Sequence, residues 1–206
     1  MLGAVTTALP TPAVAVTPSQ RDRRARILRA ATELLESREY ERIQIRDVAE
    51  GAGVALGTLY RYFPSKEQLF AHVLQDWGAT FEARAPRPGE GAATDAERLE
   101  RALRAAVRAF ERHPNFFRLI TVLEVVRDPL VTDPYGRYSE GFHAALRATL
   151  RDVHPDDVDA VTTLAASLLS NLLRAWAHGR ISGAEVHRRV QHGVRVIFAG
   201  ARPARR

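Results

Sequence analysis

An all-α fold is predicted by two features of the sequence. Apolar residues recur at helical spacing nearly everywhere after residue 20, and no sustained period-two run of β-branched residues stands between turn signals. The chain has 206 residues with 46% hydrophobic content, enough for one ordinary domain or two small ones with a sizeable core. Disorder throughout is thereby excluded.

Each element follows from its own pattern. A first helix over residues 20–37 carries Ile27, Ala30, Ala31, Leu34 and Leu35 on one face, with Arg21, Arg23, Arg24, Arg26 and Arg29 over its first turns. Residues 1–19 hold Pro10, Pro12 and Pro18, lack the basic leader of a signal peptide, and are expected as a flexible tail. A second helix over 44–52 sets Ile45, Val48, Ala49 and Ala52 in one stripe, and Gly53 then breaks it tightly. A short third helix over 55–62 buries Leu59, part of Leu56, and Phe63 just past its end, where Pro64 stops it. Ser65 is the expected N-cap of a fourth helix, with Gln68 as capping-box partner and Leu69, Phe70, Val73, Leu74, Trp77 and Phe81 in a stripe. A loop over 85–94, rich in proline and glycine, separates it from five more helices over 95–112, 114–127, 133–152, 155–178 and 182–200. Residues 201–206, with three arginines, are expected as a solvated basic tail.

Composition removes several classes of function. There is no cysteine, which excludes a disulfide framework, thiolate zinc sites and a cysteine nucleophile, and makes a cytoplasmic protein the default expectation. No window approaches the roughly 18 apolar residues of a membrane span. The histidines are scattered, with His187 and His192 five apart rather than four, so no metal site is expected. Gly51, Gly53 and Gly57 imitate a dinucleotide fingerprint, but the last glycine is one residue late and no strand precedes them. No G-x-S-x-G, P-loop or H-E-x-x-H is present, so no catalytic residue and no cofactor is expected. Charge points the other way: 30 basic against 24 acidic residues give +6, and every basic residue but Lys66 is arginine, a balance that permits an anionic partner.

Residues 45–62 have the form of a helix, a glycine-centred turn and a second short helix, the helix-turn-helix that lays its second helix in the major groove of DNA. Leu59 and Phe63 anchor the short helix, Ala55 and Gly57 are small where it meets the groove, and Tyr60, Tyr62 and Lys66 are available to grip phosphates. The run from Arg21 to Arg29 divides evenly between a solvated face and a second phosphate-binding surface.

The stretch IRDVAEGAGVALGTLYRYFPSKEQLF, residues 45–70, resembles the DNA-binding domain of the TetR family of transcriptional regulators, and the likeness extends back through the first helix. That resemblance implies that Arg46, Leu56, Gly57 and Thr58 face base edges while Tyr60, Arg61, Tyr62 and Lys66 lie along the backbone. Gln44 and Ala55 depart from the pattern, each removing a hydroxyl that caps a helix or touches phosphate. A second resemblance, carried by GVALGTLYRYFPSK and by LLSNLLRAW at 168–176, is to actinobacterial TetR-type repressors of sterol and lipid catabolism.

What these resemblances imply is a flexible tail (1–19), a helix-turn-helix domain (20–66), a ligand-binding and dimerising body (67–200) and a basic tail (201–206). The implied partners are a double-stranded operator, a bulky hydrophobic effector such as an acyl or steroid thioester of coenzyme A, and a second copy of the chain. Phe110, Phe117, Ile120, Leu123, Phe142 and Asn171 are the candidate ligand contacts; Leu168, Leu169, Leu172, Leu173, Val190, Val194 and Ile197 are the candidate dimer seam. Most of the aromatic residues would serve equally as plain core of a helical bundle. Two other classes stay open at this stage: a structural protein that binds DNA without sequence preference, and an enzyme built on a helical bundle.

Overall fold

A computed structural model describes residues 17–84 and 94–204, with the backbone alone over 81–84. The tail before residue 17, the loop over 85–93, the side chain of Phe81 and the last two arginines lie outside the described residues. Among the described residues the helices are α1 Pro18–Ser37, α2 Ile45–Gly51, α3 Leu56–Tyr62, α4 Lys66–Arg84, α5 Asp95–Arg112, α6 Pro114–Leu123, α7 Pro129–Arg147, α8 Pro155–Ala177 and α9 Gly183–Gly200. A turn of 3₁₀ helix, Tyr40–Arg42, links α1 to α2.

Several ends differ from the sequence expectation for local reasons. α1 takes in Pro18 at its first position, where a missing N–H leaves nothing unpaired. Thr17 caps it by accepting from the Gln20 N–H while the Gln20 side chain accepts from the Thr17 N–H. At α4 only half of the expected capping box forms: Ser65 Oγ accepts from the Gln68 N–H at 3.0 Å, but Gln68 Oε1 is buried without a partner. α7 starts at Pro129 because Asp128 accepts from the Leu130 N–H. Pro134 is therefore carried inside the helix and cannot donate to the Leu130 carbonyl.

The end of α7 is set from a distance. Asp95, buried in the first turn of α5, accepts through Oδ2 from the backbone N–H groups of Arg151, Asp152 and Val153 at 2.9, 2.7 and 3.0 Å. Its other oxygen pairs with Arg98, which also donates to the Thr149 carbonyl at 3.0 Å. This hub draws the chain out of helix after Arg147, short of the expected residue 152. Residues 201–204, exposed or half-buried, are laid as a strap on the same corner. The His154 N–H donates to the Arg202 carbonyl at 2.9 Å, and the Ala204 N–H to the Asp152 carbonyl at 2.7 Å. The side chain and backbone N–H of Arg202 hold the Asp157 carboxyl down at about 2. A polar composition there said nothing about backbone pairing.

One continuous set of buried apolar residues runs from Ile27 in α1 to Val194 in α9, so the first three helices and the rest share a core. α7 packs closely on α4 because Gly78 has no side chain: a Cβ there would come 2.5 Å from the Tyr138 ring. Trp77 of α4 stacks on Phe116 at 4.4 Å between ring centres and tilts against Phe110 at 5.2 Å. The start of α6 is tied to the end of α1, Asn115 donating to the Leu35 carbonyl at 2.9 Å and Arg118 pairing with Glu39. Replacing Asp95 with alanine would strand the buried Val153 N–H and two neighbouring donors. The expected loss is about 3 kcal/mol of stability, read as a lower urea midpoint at unchanged slope.

Candidate nucleic-acid interface

α3 has 7 residues, too few to be stable as an isolated helix, so its position depends on what it buries. Leu59 and Phe63 are fully buried in the shared core and supply that anchorage. The turn before α3 is closed by the Val54 N–H on the Ala49 carbonyl at 3.0 Å, and Gly53 takes φ +63°, where a Cβ would be strained. Gln44 and Ala55, the N-caps of α2 and α3, make no side-chain cap, as the missing hydroxyls imply.

With Leu59 and Phe63 inward, the first residue and the outer side of α3 are left to solvent. Leu56 and Tyr60 are each 44% exposed, Arg61 is exposed, and the space about Gly57 is open. Thr58 and Tyr62 are half-buried, and Tyr62 packs against the core. On α2 the Arg46 side chain is 73% exposed, with Nε 3.7 Å from an Asp47 oxygen. Lys66 is held more tightly than its sequence position implies. Its Nζ donates to the Tyr40 carbonyl at 2.6 Å and lies 4.1 Å from the Tyr40 ring centre, while the Tyr40 hydroxyl donates to Glu67. Burial lowers the Lys66 pKa and, with the Glu67 bond, raises that of Tyr40. No sequence signal marked this tie, because it needs the 3₁₀ turn that brings Tyr40 beside α4.

A second junction fixes α1 to α4. An Arg24 nitrogen lies 3.1 Å from His72 Nδ1, and the Arg24 guanidinium stands 5.3 Å from the Phe63 ring centre. Burial, then the Arg24 charge, holds His72 below the usual histidine value, so its neutral ring accepts from Arg24. One step along α4, Gln75 accepts from Arg137 of α7 at 3.4 Å, and burial raises the Asp76 carboxyl.

In the body, Phe110, Phe117, Ile120 and Leu123 are buried, with Phe110 and Phe117 meeting edge to face at 5.5 Å. Phe142 is half-buried on α7. Asn171 does not join them: it is exposed on α8, on the side that carries Leu164 and Ser167. A cleft of about 190 Å³ lined by Glu41, Phe117, Arg118, Thr121, Ala177 and His178 is smaller than the sites that hold drug-sized ligands.

The candidate seam also divides. Leu169, Leu172, Leu173, Val190 and Val194 are buried within the protomer, while Leu168 and Ile197 are half-buried, Leu168 lying against Gly193. The outward apolar residues of α8 and α9 are instead Leu164 and Val196, 56% and 60% exposed. Both helices are apolar on more than one side, and periodicity alone does not say which side meets the chain's own core. No helix among the described residues is long and apolar enough to cross a membrane, and no group of three or more metal-ligating side chains occurs among them.

Comparisons with known proteins agree with this geometry. Residues 27–73 match the model of bacterial regulatory proteins of the tetR family, and residues 92–197 that of the tetracyclin repressor-like C-terminal domain. The HTH-type transcriptional repressor KstR of Mycobacterium tuberculosis is 32% identical over 182 residues, covering 87% of this chain and 82% of that protein. A TetR transcriptional regulator from Rhodococcus sp. RHA1 superposes with TM-score 0.72 at 28% identity, covering 89% of this chain and 99% of that one. Bacillus subtilis FadR in complex with stearoyl-CoA shares the fold at TM-score 0.65 and 18% identity, covering 85% and 98%.

Two outcomes are expected from this site. Leu59→Ala should cost about 2–5 kcal/mol in chemical denaturation, whereas Tyr60→Ala on the exposed edge should stay within about 0.5 kcal/mol of the parent. Because the folded His72 pKa lies below its unfolded value, the neutral ring contributes stability that is lost as pH falls below about 6.5. Denaturation midpoints measured down to pH 5 should decline less for His72→Gln than for the parent chain.

Proposed function

Because the chain belongs to the TetR family of bacterial regulatory proteins, we propose that it is a dimeric transcriptional repressor released from its operator by a bulky hydrophobic ligand. The observation that carries this reading is the exposed edge of α3, held outward by the burial of Leu59 and Phe63. Arg46, Leu56, Gly57 and Thr58 face base edges in this proposal, and Tyr60, Arg61 and Tyr62 meet phosphates, with Lys66 steadying the start of α4. Family members are regulators and not enzymes, which removes the helical-bundle enzyme.

Two copies are required because one short helix reads too few bases, whereas a two-fold pair reads half-sites about 34 Å apart. The outer faces of α8 and α9, with Leu164, Leu168, Val196 and Ile197, form the seam between them. The ligand is an acyl or steroid thioester of coenzyme A. The stearoyl-CoA bound by the Bacillus subtilis neighbour supports this, as does the likeness of residues 53–66 and 168–176 to sterol- and lipid-catabolism repressors. It enters among Phe110, Phe117, Ile120, Leu123 and Phe142, parting the edge-to-face pair of Phe110 and Phe117. Release follows if the ligand favours the state in which the paired reading helices lose groove spacing.

Footprinting on the DNA upstream of its own gene tests the proposal. A protected segment with two-fold symmetry is expected, lost on adding the effective thioester. Arg46→Ala should weaken binding to that segment by about 1–3 kcal/mol and relax preference at one base pair per half-site. Equal affinity for scrambled DNA would favour the nonspecific structural protein, and protection unaffected by acyl and steroid thioesters would remove the ligand assignment.

A further inference from the structure

The arginines of this chain are unevenly partnered. In the body, Arg98, Arg104, Arg147, Arg174, Arg189 and Arg202 each face a carboxylate within ion-pair distance, whereas Arg108, Arg127 and Arg180 form no ion pair among the described residues. Over residues 18–29 there are five arginines and a single acid, Asp22. Arg24 is engaged with His72 and Phe63, but Arg23 and Arg26 are in no ion pair among the described residues, and Arg23 only reaches Ser19 Oγ at 3.4 Å. Arg26 is exposed and Arg23 half-exposed.

Their placement is as informative as their charge. Arg23, Arg26 and Ala30 follow one edge of α1 at helical spacing. Ala30 lies 3.4 Å from where a Cβ on Gly51 would stand, and Arg26 Nη1 lies 3.9 Å from where one on Gly53 would stand. Gly51 ends α2 and Gly53 sits in the turn that leads into α3. The edge therefore runs beside the turn that leads into the reading helix, with the Arg26 guanidinium next to that turn and Arg23 one helical turn before it on the same edge.

We propose that Arg23 and Arg26 bind phosphates of the duplex beyond the bases read by α3, making α1 part of the DNA interface. This rests on the reading of α3 as the groove-binding helix. A guanidinium fork matches two phosphate oxygens, and an unpaired cation gives up no internal partner when it takes one. Such contacts add affinity and fix register without carrying base identity.

The test uses the full chain, a duplex that the parent protein selects from a randomised library, and a scrambled duplex of equal length. Each phosphate neutralised contributes about −0.9 to the slope of log Kobs against log salt concentration. Replacing Arg23 and Arg26 together by alanine should make that slope shallower by about 1.8 on both duplexes, with base preference unchanged. Replacing both by lysine, which keeps the charge, should restore most of it. Arg151→Ala, which removes a charge from the distant α7–α8 corner, should leave the slope as it was. An unaltered slope in the alanine variant, a change matched by Arg151→Ala, or a loss confined to the selected duplex overturns the assignment while leaving α3 as the reader. A parent chain that enriches no duplex brings down the reading of α3 and this inference with it.

Discussion

The burial of Leu59 and Phe63 is the constraint on which the proposed activity depends. A helix of 7 residues has too few internal hydrogen bonds to persist alone. It exists because Leu59 and the residue that ends it, Phe63, are absorbed into the core that α1, α2 and α4 share. The same two contacts decide which residues are left outside. With a turn of about 100° per residue, fixing 59 and 63 inward leaves 57 and 61 on the far side and 60 on the flank, while Leu56, at the first residue of α3, is exposed although its spacing sets it near the inward side. Anchorage and presentation are thus one event, and a residue that loosened the first would scatter the second.

What surrounds α3 extends that constraint into the body. Lys66 and Glu67 pin the beginning of α4 to Tyr40, Arg24 binds its second turn through His72, and Gln75 and Gly78 hand it over to α7. Asn115 and Arg118 add a separate connection from α6 to the end of α1. The reading helix is therefore reached from the body by two routes, one through α4 and one through α6. The two routes meet where Trp77 of α4 packs on Phe116 of α6 and Phe110 of α5, next to the proposed ligand contacts Phe110 and Phe117.

Much of the fold was legible because its signals are local. The stripes of period 3.6 and the end of the loop at residue 94 give α5 the same limits in sequence and in structure, 95–112. The exposure of Gly57 and Arg61 follows from the spacing of Leu59 and Phe63, whereas that of Leu56, partly buried by its spacing, does not. Features that depend on distant partners were not legible. Pro134 resembles the first residue of a helix, and only the cap made by Asp128 shows that it lies inside one. Nothing in the residues 201–204 announces that their backbone pairs with 152–154, because backbone groups are the same in every sequence. The outward side of α8 escaped for a related reason: Leu168, Leu169, Leu172 and Leu173 read alike, and only packing separates the half-buried first from the buried others.

α4 is an unbroken rod whose beginning is fastened to the reading head and whose later turns are clamped by α7. At about 1.5 Å per residue its 19 residues span about 28 Å. Rotating such a rod by about 10° about its far end sweeps its near end through about 5 Å, close to one helical turn of 5.4 Å. Small angular play in the body is thereby geared up before it reaches the DNA. In the proposed repressor, a shift of about 2 Å at Trp77, about 10 Å from the far end of the rod, would accompany the sweep of about 5 Å at its near end.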